Sequence, residues 1–484
     1  MGLGATLGNS SLFNLGVWFT QPTGIVIVSI LNALIAAYIL VTGFKNYIKL
    51  QNVMIVAIAI AFLTTLIVLF TADPATVPQK LNAFSVAAGG SANFYQGAID
   101  AVKAAGIDLN PPFSLMATLL IAPIAWTSLQ WATYSAQQNG EIKDARSFSS
   151  QTFIMVGSLI VTGVLLALLA VGLEKAIGTQ FLYVAGAGYW SLIPEANIAG
   201  FNLWPPILAV ALTGSPIVVL LIAFGYIMNG HQIVHNCYIG MTRVMVAMSL
   251  DRLLPEWFSR VDERHHTPAN AHWAYFLASI PVILAYNLVP GWIGLTLGVT
   301  FGCGYVFIIT CLSGALLPYK AKDVYEGSPG SKYNVSGWVG LLFTVIGMAG
   351  FIITAWTLAP QAFANYPTLI WLVRLIAIVA VIAFLYPMRN HIASWASGKP
   401  MPWLSALGML GGGLGMAMVV AFLLAPQLGV LGNWDFSEFP KHLWSQIIAF
   451  GLIIISALWY YFVKQAQRTR GINVDNAFRE IPPE

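Results

Sequence analysis

About eleven apolar runs, each near the ~20 residues that a helix needs to cross a bilayer, follow one another along this chain. They lie at 25–44, 53–70, 113–136, 153–173, 217–241, 273–288, 292–317, 338–358, 369–386, 404–424 and 443–463. Only 8% of the 484 residues are charged, and 58% are hydrophobic. Soluble domains carry roughly 25% charged residues, so this chain could not cover the surface of a soluble fold. The expected class is all-α and polytopic in a membrane. Its three cysteines, Cys237, Cys303 and Cys311, all fall in apolar runs and suggest neither a disulfide framework nor a metal quartet.

The basic residues give the runs an orientation. Lys45 and Lys49, Lys143 and Arg146, Arg243, Arg252, Arg260 and Arg264, Lys320, Lys322 and Lys332, Arg389 and Lys399, and Lys464, Arg468, Arg470 and Arg479 all fall on one side. Lys80, Lys103, Lys175 and Lys441 fall on the other. Short loops rich in Lys and Arg stay in the cytoplasm, so the carboxyl end is expected inside and the amino end outside. Two outer loops, 71–112 and 174–216, are long and rich in Gly, Ala, Asn and Pro. They could carry short helices, roof an outer vestibule, or form a plain solvated cap.

Polar side chains inside the apolar runs mark candidate sites. The stretch YIMNGHQIVHN, 226–236, is the densest. At 100° per residue His231, His235, Tyr238 and Thr242 form one stripe, and Asn229, Gln232 and Asn236 form the next. A single polar sector points toward the bundle interior or a water-filled path. The plainer reading is interhelical hydrogen bonding that only holds helices together. Histidines change charge near neutral pH, so His231 and His235 are the titratable candidates. Their i, i+4 spacing could also hold a metal, but no acid lies near them in sequence to complete a hydrolytic site. In the third run, APIAWTSLQWATYS (122–135) places Pro123, which frees a backbone carbonyl, among Trp126, Thr127, Ser128, Gln130 and Tyr134. In the seventh, TFGCGYVF (300–307) sets Tyr305 beside small residues. Arg374 stands alone in the ninth run, and its expected use is snorkelling or contact with a lipid phosphate.

The segment TRVMVAMSLDRLLPEWFSRVDERHHTPANA, 242–271, resembles the loop after helix 8 of the amino acid–polyamine–organocation (APC) superfamily of permeases. The matching positions are Arg243, Asp251, Pro255, Phe258, Thr267, Pro268 and Ala271. GFKNYIKLQN (43–52), GEIKDARSFSSQ (140–151) and the tail RTRGINVDNAFREIPPE resemble further family segments in the family's order. The resemblance implies the LeuT-like fold of two inverted five-helix repeats, with the substrate between broken helices 1 and 6. The third run is then helix 6, and the run at 217–241 is helix 8, which faces helix 1.

On this alignment, family helices 1–3 have no counterpart, because MGLGATLGNSS is too short and too polar to be the first of them. The expected layout is a remnant of the first repeat (1–70), an outer loop (71–112), the second repeat (113–317), C-terminal helices with a two-helix insertion (318–463), and a cytoplasmic tail (464–484). The polar stripe at 229–242 would then face a helix outside this chain.

The implied function is secondary active transport of amino acids or related amines across the cytoplasmic membrane. Substrate would contact Trp126, Thr127, Ser128, Gln130, Tyr134 and Tyr305, with H+ or Na+ as coupling ion. The alternative is a non-transporting membrane subunit, sensor or inactive permease. Nothing resembles a nucleotide-binding motif. No cofactor, enzymatic activity or nucleic acid partner is expected, the partners are a small substrate and membrane lipid, and the oligomeric state stays open. The lack of acidic residues in the runs favours neutral over cationic amino acids.

Overall fold

The computed structural model describes residues 2–121, 125, 129–138, 147–190, 193–198, 201–289, 292–424 and 439–477. Within these, the side chains of Met116, Leu120, Gln130, Trp190, 292–303, Phe422, 439–450, Asn476 and Ala477 are outside the description. Ten long helices carry the fold: α1 (Pro22–Val41), α2 (Phe44–Thr71), α3 (Ser158–Trp190), α4 (Pro216–Leu250), α5 (Ala269–Leu288), α6 (Trp292–Lys320), α7 (Gly337–Ala362), α8 (Pro367–Leu385), α9 (Trp403–Leu424) and α10 (Phe439–Thr469). Each coincides with one of the apolar runs. Among the described residues, eight helical stretches are long and apolar enough to cross a membrane. The protein is an all-α polytopic membrane protein. The third run is described only in pieces: Leu115–Leu120, a 3-10 turn Gln130–Thr133, and Tyr134–Gln137.

The chain divides into two compact units. The first comprises 1–113, 156–247 and 256–288. Within it, α1, α2, α4 and α5 pack through small and aromatic side chains. Ala33, Ala36, Ala37 and Leu40 of α1 meet Tyr47 of α2, Tyr238 and Ile239 of α4, and Phe276 of α5. Both long loops prove to be packed helical structure with a core of its own. Val77–Ala87, Phe94–Ala104 and Pro205–Leu212 bury Leu81, Phe94, Val102 and Leu208 against Phe181 and Val184 of α3. Tyr95 stacks on Phe181 with ring centres 4.5 Å apart. Within α3, Gly178 leaves helical geometry with φ 76°, so the apolar run ahead of it and the cap segment after it are separate rods. The first residues form two short helices, Gly2–Leu7 and Ser10–Trp18, and Gly2 lies against Val210 of the cap.

The second unit comprises 114–155, 248–255 and 289–484. Its core is α9, flanked by α6 and α7, with Met348, Phe351, Phe384, Met409 and Met416 buried among them. Hydrocarbon supplies no hydrophobic drive between helices, so close van der Waals contact must hold them, and small residues permit it. The run GGG at Gly411–Gly413 supplies that contact. A Cβ on Gly413 would stand 2.3 Å from the carbonyl carbon of Gly347 on α7. Ser405 of α9 donates to the Ala315 carbonyl of α6 at 2.8 Å. A two-residue antiparallel ladder pairs Asn334 with Pro402 and Val335 with Met401 at one end. The last helix grips residues 252 and 253: Trp459 Nε1 donates to Leu253 O (3.2 Å), and Gln467 Nε2 donates to Arg252 O (2.8 Å).

Gly413→Ala is expected to lower thermal stability in detergent by about 1–3 kcal/mol, the usual cost of overpacking. Gly163→Ala, where an added Cβ meets nothing within 4 Å, is expected to hold or raise stability through helix propensity. Differential scanning fluorimetry of the two variants compares them, and equal melting temperatures would contradict the packing argument.

Candidate functional site

The polar stretch of α4 lies in a crevice built by α1, α2 and α5. The approach of α2 and α4 sets its width. A Cβ on Gly225 would lie 2.2 Å from Ala61 Cβ and 2.5 Å from Ala57 O, so only glycine lets the two helices come so close. The helices run antiparallel, and one coil of three turns farther along α4 brings Asn236 to Tyr47 and Gln51 of α2. Tyr47 Oη donates to Asn236 Oδ1 at 2.6 Å, and Gln51 Nε2 donates to the same oxygen at 3.4 Å. The Tyr47 ring stacks on His235, with centres 6.1 Å apart and planes 22° apart.

The backbone fixes the tautomer of His235. His235 is fully buried, and its Nδ1 lies 2.9 Å from the His231 carbonyl. A carbonyl only accepts, so Nδ1 carries the proton and Nε2 presents a lone pair. That Nε2 has no hydrogen-bond partner among the described residues, and neither does Gln51 Oε1. His231 Nδ1 pairs with Asn32 Oδ1 of α1. The two imidazoles sit edge to face with centres 4.4 Å apart. One turn on, Ser279 of α5 donates to Phe276 O at 2.7 Å, which leaves its oxygen to accept the Tyr238 hydroxyl at 3.0 Å. Thr242 bonds back to Tyr238 O at 2.7 Å. Asn229 and Gln232 are half-buried and make no hydrogen bond among the described residues.

The sector expected from helical periodicity therefore does point inward. Within this chain, His231, Asn236 and Tyr238 of the sector bond to α1, α2 and α5. Asn32, Tyr47, Gln51 and Ser279 were missed in the sequence because each is a scattered polar residue in an otherwise apolar helix. The available signal was spacing: Tyr47 and Gln51 stand four apart, on one face.

The other candidates divide unevenly. Trp126, Thr127 and Ser128 lie outside the described residues, and of Gln130 only the backbone, in its 3-10 turn, is described. Tyr134 opens the short helix after that turn, its ring 5.3 Å from Trp131. Tyr305 is half-buried in α6. Among the described residues, no group of three or more His, Cys, Asp or Glu comes together as a metal would need.

The segment after α4 is a set of fasteners. Arg243 is half-buried on the last turns of α4, and burial raises the Asp251 carboxyl above its usual range. Ser249 Oγ donates to the Pro255 carbonyl at 2.8 Å. Thr267 is buried and donates to Val41 O at the end of α1 (3.0 Å), and Pro268 immediately precedes α5. Asp262 accepts from both His265 Nδ1 (2.7 Å) and His265 N (2.9 Å), and these bonds hold its carboxyl below the usual carboxylate range.

A family of sequences described as amino acid permease matches residues 3–384. That span includes the whole α1–α4–α5 crevice, the fasteners and α8, and it ends before α9. No curated protein and no solved structure matches the chain. The chain belongs to the amino acid permease family, a family of membrane transporters that carry amino acids.

Proposed function

We propose that this permease is a secondary active transporter that moves neutral amino acids across the cytoplasmic membrane by alternating access, coupled to protons through His231 and His235. The observation that carries the coupling is the buried His235 ring, with Nδ1 committed to the His231 carbonyl and Nε2 open. A proton arriving at Nε2 places a charge in a low-dielectric crevice, where it acts strongly on its neighbours. The adjacent His231 ring makes a second positive charge costly, so the pair takes up one proton at a time. The new N–H demands an acceptor, and Gln51 Oε1 is an unpartnered acceptor on the facing helix. Drawing Gln51 toward His235 competes with its bond to Asn236, which is one of the two side-chain hydrogen bonds joining α2 and α4 at this level. Protonation would thereby bias the packing of α2 on α4, a two-state element of the kind alternating access requires.

In this reading the substrate amino and carboxylate groups are met in the third run by freed backbone and by Thr127, Ser128 and Gln130. Trp126, Tyr134 and Tyr305 would supply the aromatic walls. Among the described spans Glu174 is the one carboxylate, exposed and accepting from Thr179, and the polar stretch of α4 carries none, which supports a neutral substrate.

Uptake of labelled amino acids into proteoliposomes tests both parts. Neutral amino acids are expected to accumulate when the lumen is alkaline, with replacement of Na+ by choline having little effect. The double variant His231→Gln/His235→Gln is expected to lose stimulation by the pH gradient while keeping exchange of internal for external substrate. Unchanged gradient dependence would rule out the histidine coupling, and no uptake of any amino acid by the wild type would remove the transport reading. A double-mutant cycle on Tyr47→Phe and Asn236→Ala, read by thermal unfolding in detergent, is expected to give a coupling of about 0.6–2 kcal/mol. A coupling near zero would remove the latch between α2 and α4.

A further inference from the structure

The guanidinium of Arg374 in α8 sits between two tryptophan rings, 5.0 Å from the centre of Trp371 and 5.4 Å from that of Trp356 on α7. One of its nitrogens, Nη2, reaches the Trp356 carbonyl at 3.5 Å. The sequence explains why that oxygen is available. Pro360 stands four residues later inside α7 and has no N–H to close the helical bond to residue 356. The guanidinium thus meets a carbonyl that its own helix leaves bare. Nε is buried and has no partner among the described residues. An arginine keeps its charge in any protein environment, yet the chain contains no Asp or Glu from Gly327 to Trp434. Two rings and one carbonyl orient this cation without neutralising it.

Position supplies the counter-charge. The 19 residues of α8 make a rod of roughly 28 Å, about the thickness of the hydrocarbon. Arg374 lies seven residues from its first residue, or about 10 Å along the axis. Side chains on a helix lean toward its amino end, and Trp371 is one turn in that direction. The guanidinium has therefore climbed toward the near membrane interface. Trp371 is 66% exposed on the outer surface of α8, and Arg374 itself is half-exposed beside it. The anion present in quantity at that depth and on that surface is the phosphate of a membrane lipid.

We propose that Arg374, cradled by Trp356 and Trp371, is a binding site for the phosphate of a glycerophospholipid in the leaflet at the amino end of α8. Nη2 is engaged by the Trp356 carbonyl, and the other N–H groups of the fork are left to make a paired contact with phosphate oxygens. The site ties α7 and α8 to a lipid on the face where they meet.

The test uses the full chain, delipidated in detergent, and reads the melting temperature as defined lipids are added. Phosphatidylglycerol is expected to raise the melting temperature of the wild type by several degrees. Diacylglycerol, which lacks the phosphate, is expected to give much less, and millimolar inorganic phosphate is expected not to substitute. Arg374→Gln is expected to lose most of the response to phosphatidylglycerol, and Trp371→Ala, which keeps the charge and removes one ring, to lose part of it. Arg374→Lys, a point charge without the fork, is expected to fall between. An undiminished lipid response in Arg374→Gln would overturn the proposal, as would full protection by inorganic phosphate or by diacylglycerol. The nearest following carboxylates, Asp435 and Glu438, lie outside the described residues. If Asp435→Asn/Glu438→Gln destabilised the protein as Arg374→Gln does and left no lipid response, the guanidinium would belong to those acids and the proposal would fail.

Discussion

Hydrocarbon offers no hydrogen bonds, and most of this molecule follows from that. Each span must close its own backbone ladder, so the apolar runs become helices of bilayer length. Each polar side chain within a span must find a partner on another helix or on its own carbonyls. Thr65, Thr242, Thr344 and Ser456 take the second course, bonding the carbonyl four residues back. His231, Asn236 and Tyr238 of α4 take the first. Association between helices cannot draw on expelled water as it does in a soluble core, so it rests on close contact. This explains why α9 carries a run of three glycines, and why Gly225 stands where α4 meets α2.

Much of this was legible in the chain. The runs at 338–358, 369–386 and 404–424 fall within α7, α8 and α9 or pass their ends by a residue, because eighteen or more apolar residues leave few alternatives to a membrane helix. Helix ends were harder to read: α4 runs to Leu250, well beyond the apolar run that ended at 241, since its last turns are polar and helical at once. Periodicity also placed the sector 229–242 facing inward. It could not name what faced it, because Asn32 and Ser279 carry no signature in a run of apolar neighbours. The alignment to family helix 8 pointed instead to an absent helix. The two long loops were ambiguous for a different reason. Segments rich in Gly, Ala and Pro look irregular, yet Leu81, Phe94, Val102 and Phe181 are spaced to build a small soluble-type core.

The segment after α4 illustrates the difference between a diagnostic motif and a working one. Thr267, Pro268 and Asp262 fasten the end of α1 and the start of α5, and Ser249 and Pro255 close the turn that follows α4. Their bonds are local, complete and mostly to backbone. Such residues fix where helices begin and end. The chemistry has to be sought where bonding is incomplete.

Among the described residues with a buried, unpartnered polar atom, His235 and Arg374 differ in kind. At His235 the incomplete atom is a lone pair on a neutral ring, deep between helices, next to a network that competes for Gln51. Under the proposed coupling, adding one proton would change both the charge and the bonding there. At Arg374 the incomplete group is a permanent cation at a lipid-facing edge, fixed by two rings and by the carbonyl that Pro360 releases. No proton change within reach can discharge it, so it can anchor but cannot switch. Both are polar groups that a bilayer penalises, and the penalty explains why each is surrounded by aromatic side chains. Tyr47 covers His235, and Trp356 and Trp371 flank Arg374. An aromatic face tolerates an adjacent charge without supplying a counter-ion, which leaves the guanidinium free to take its counter-charge from the membrane itself.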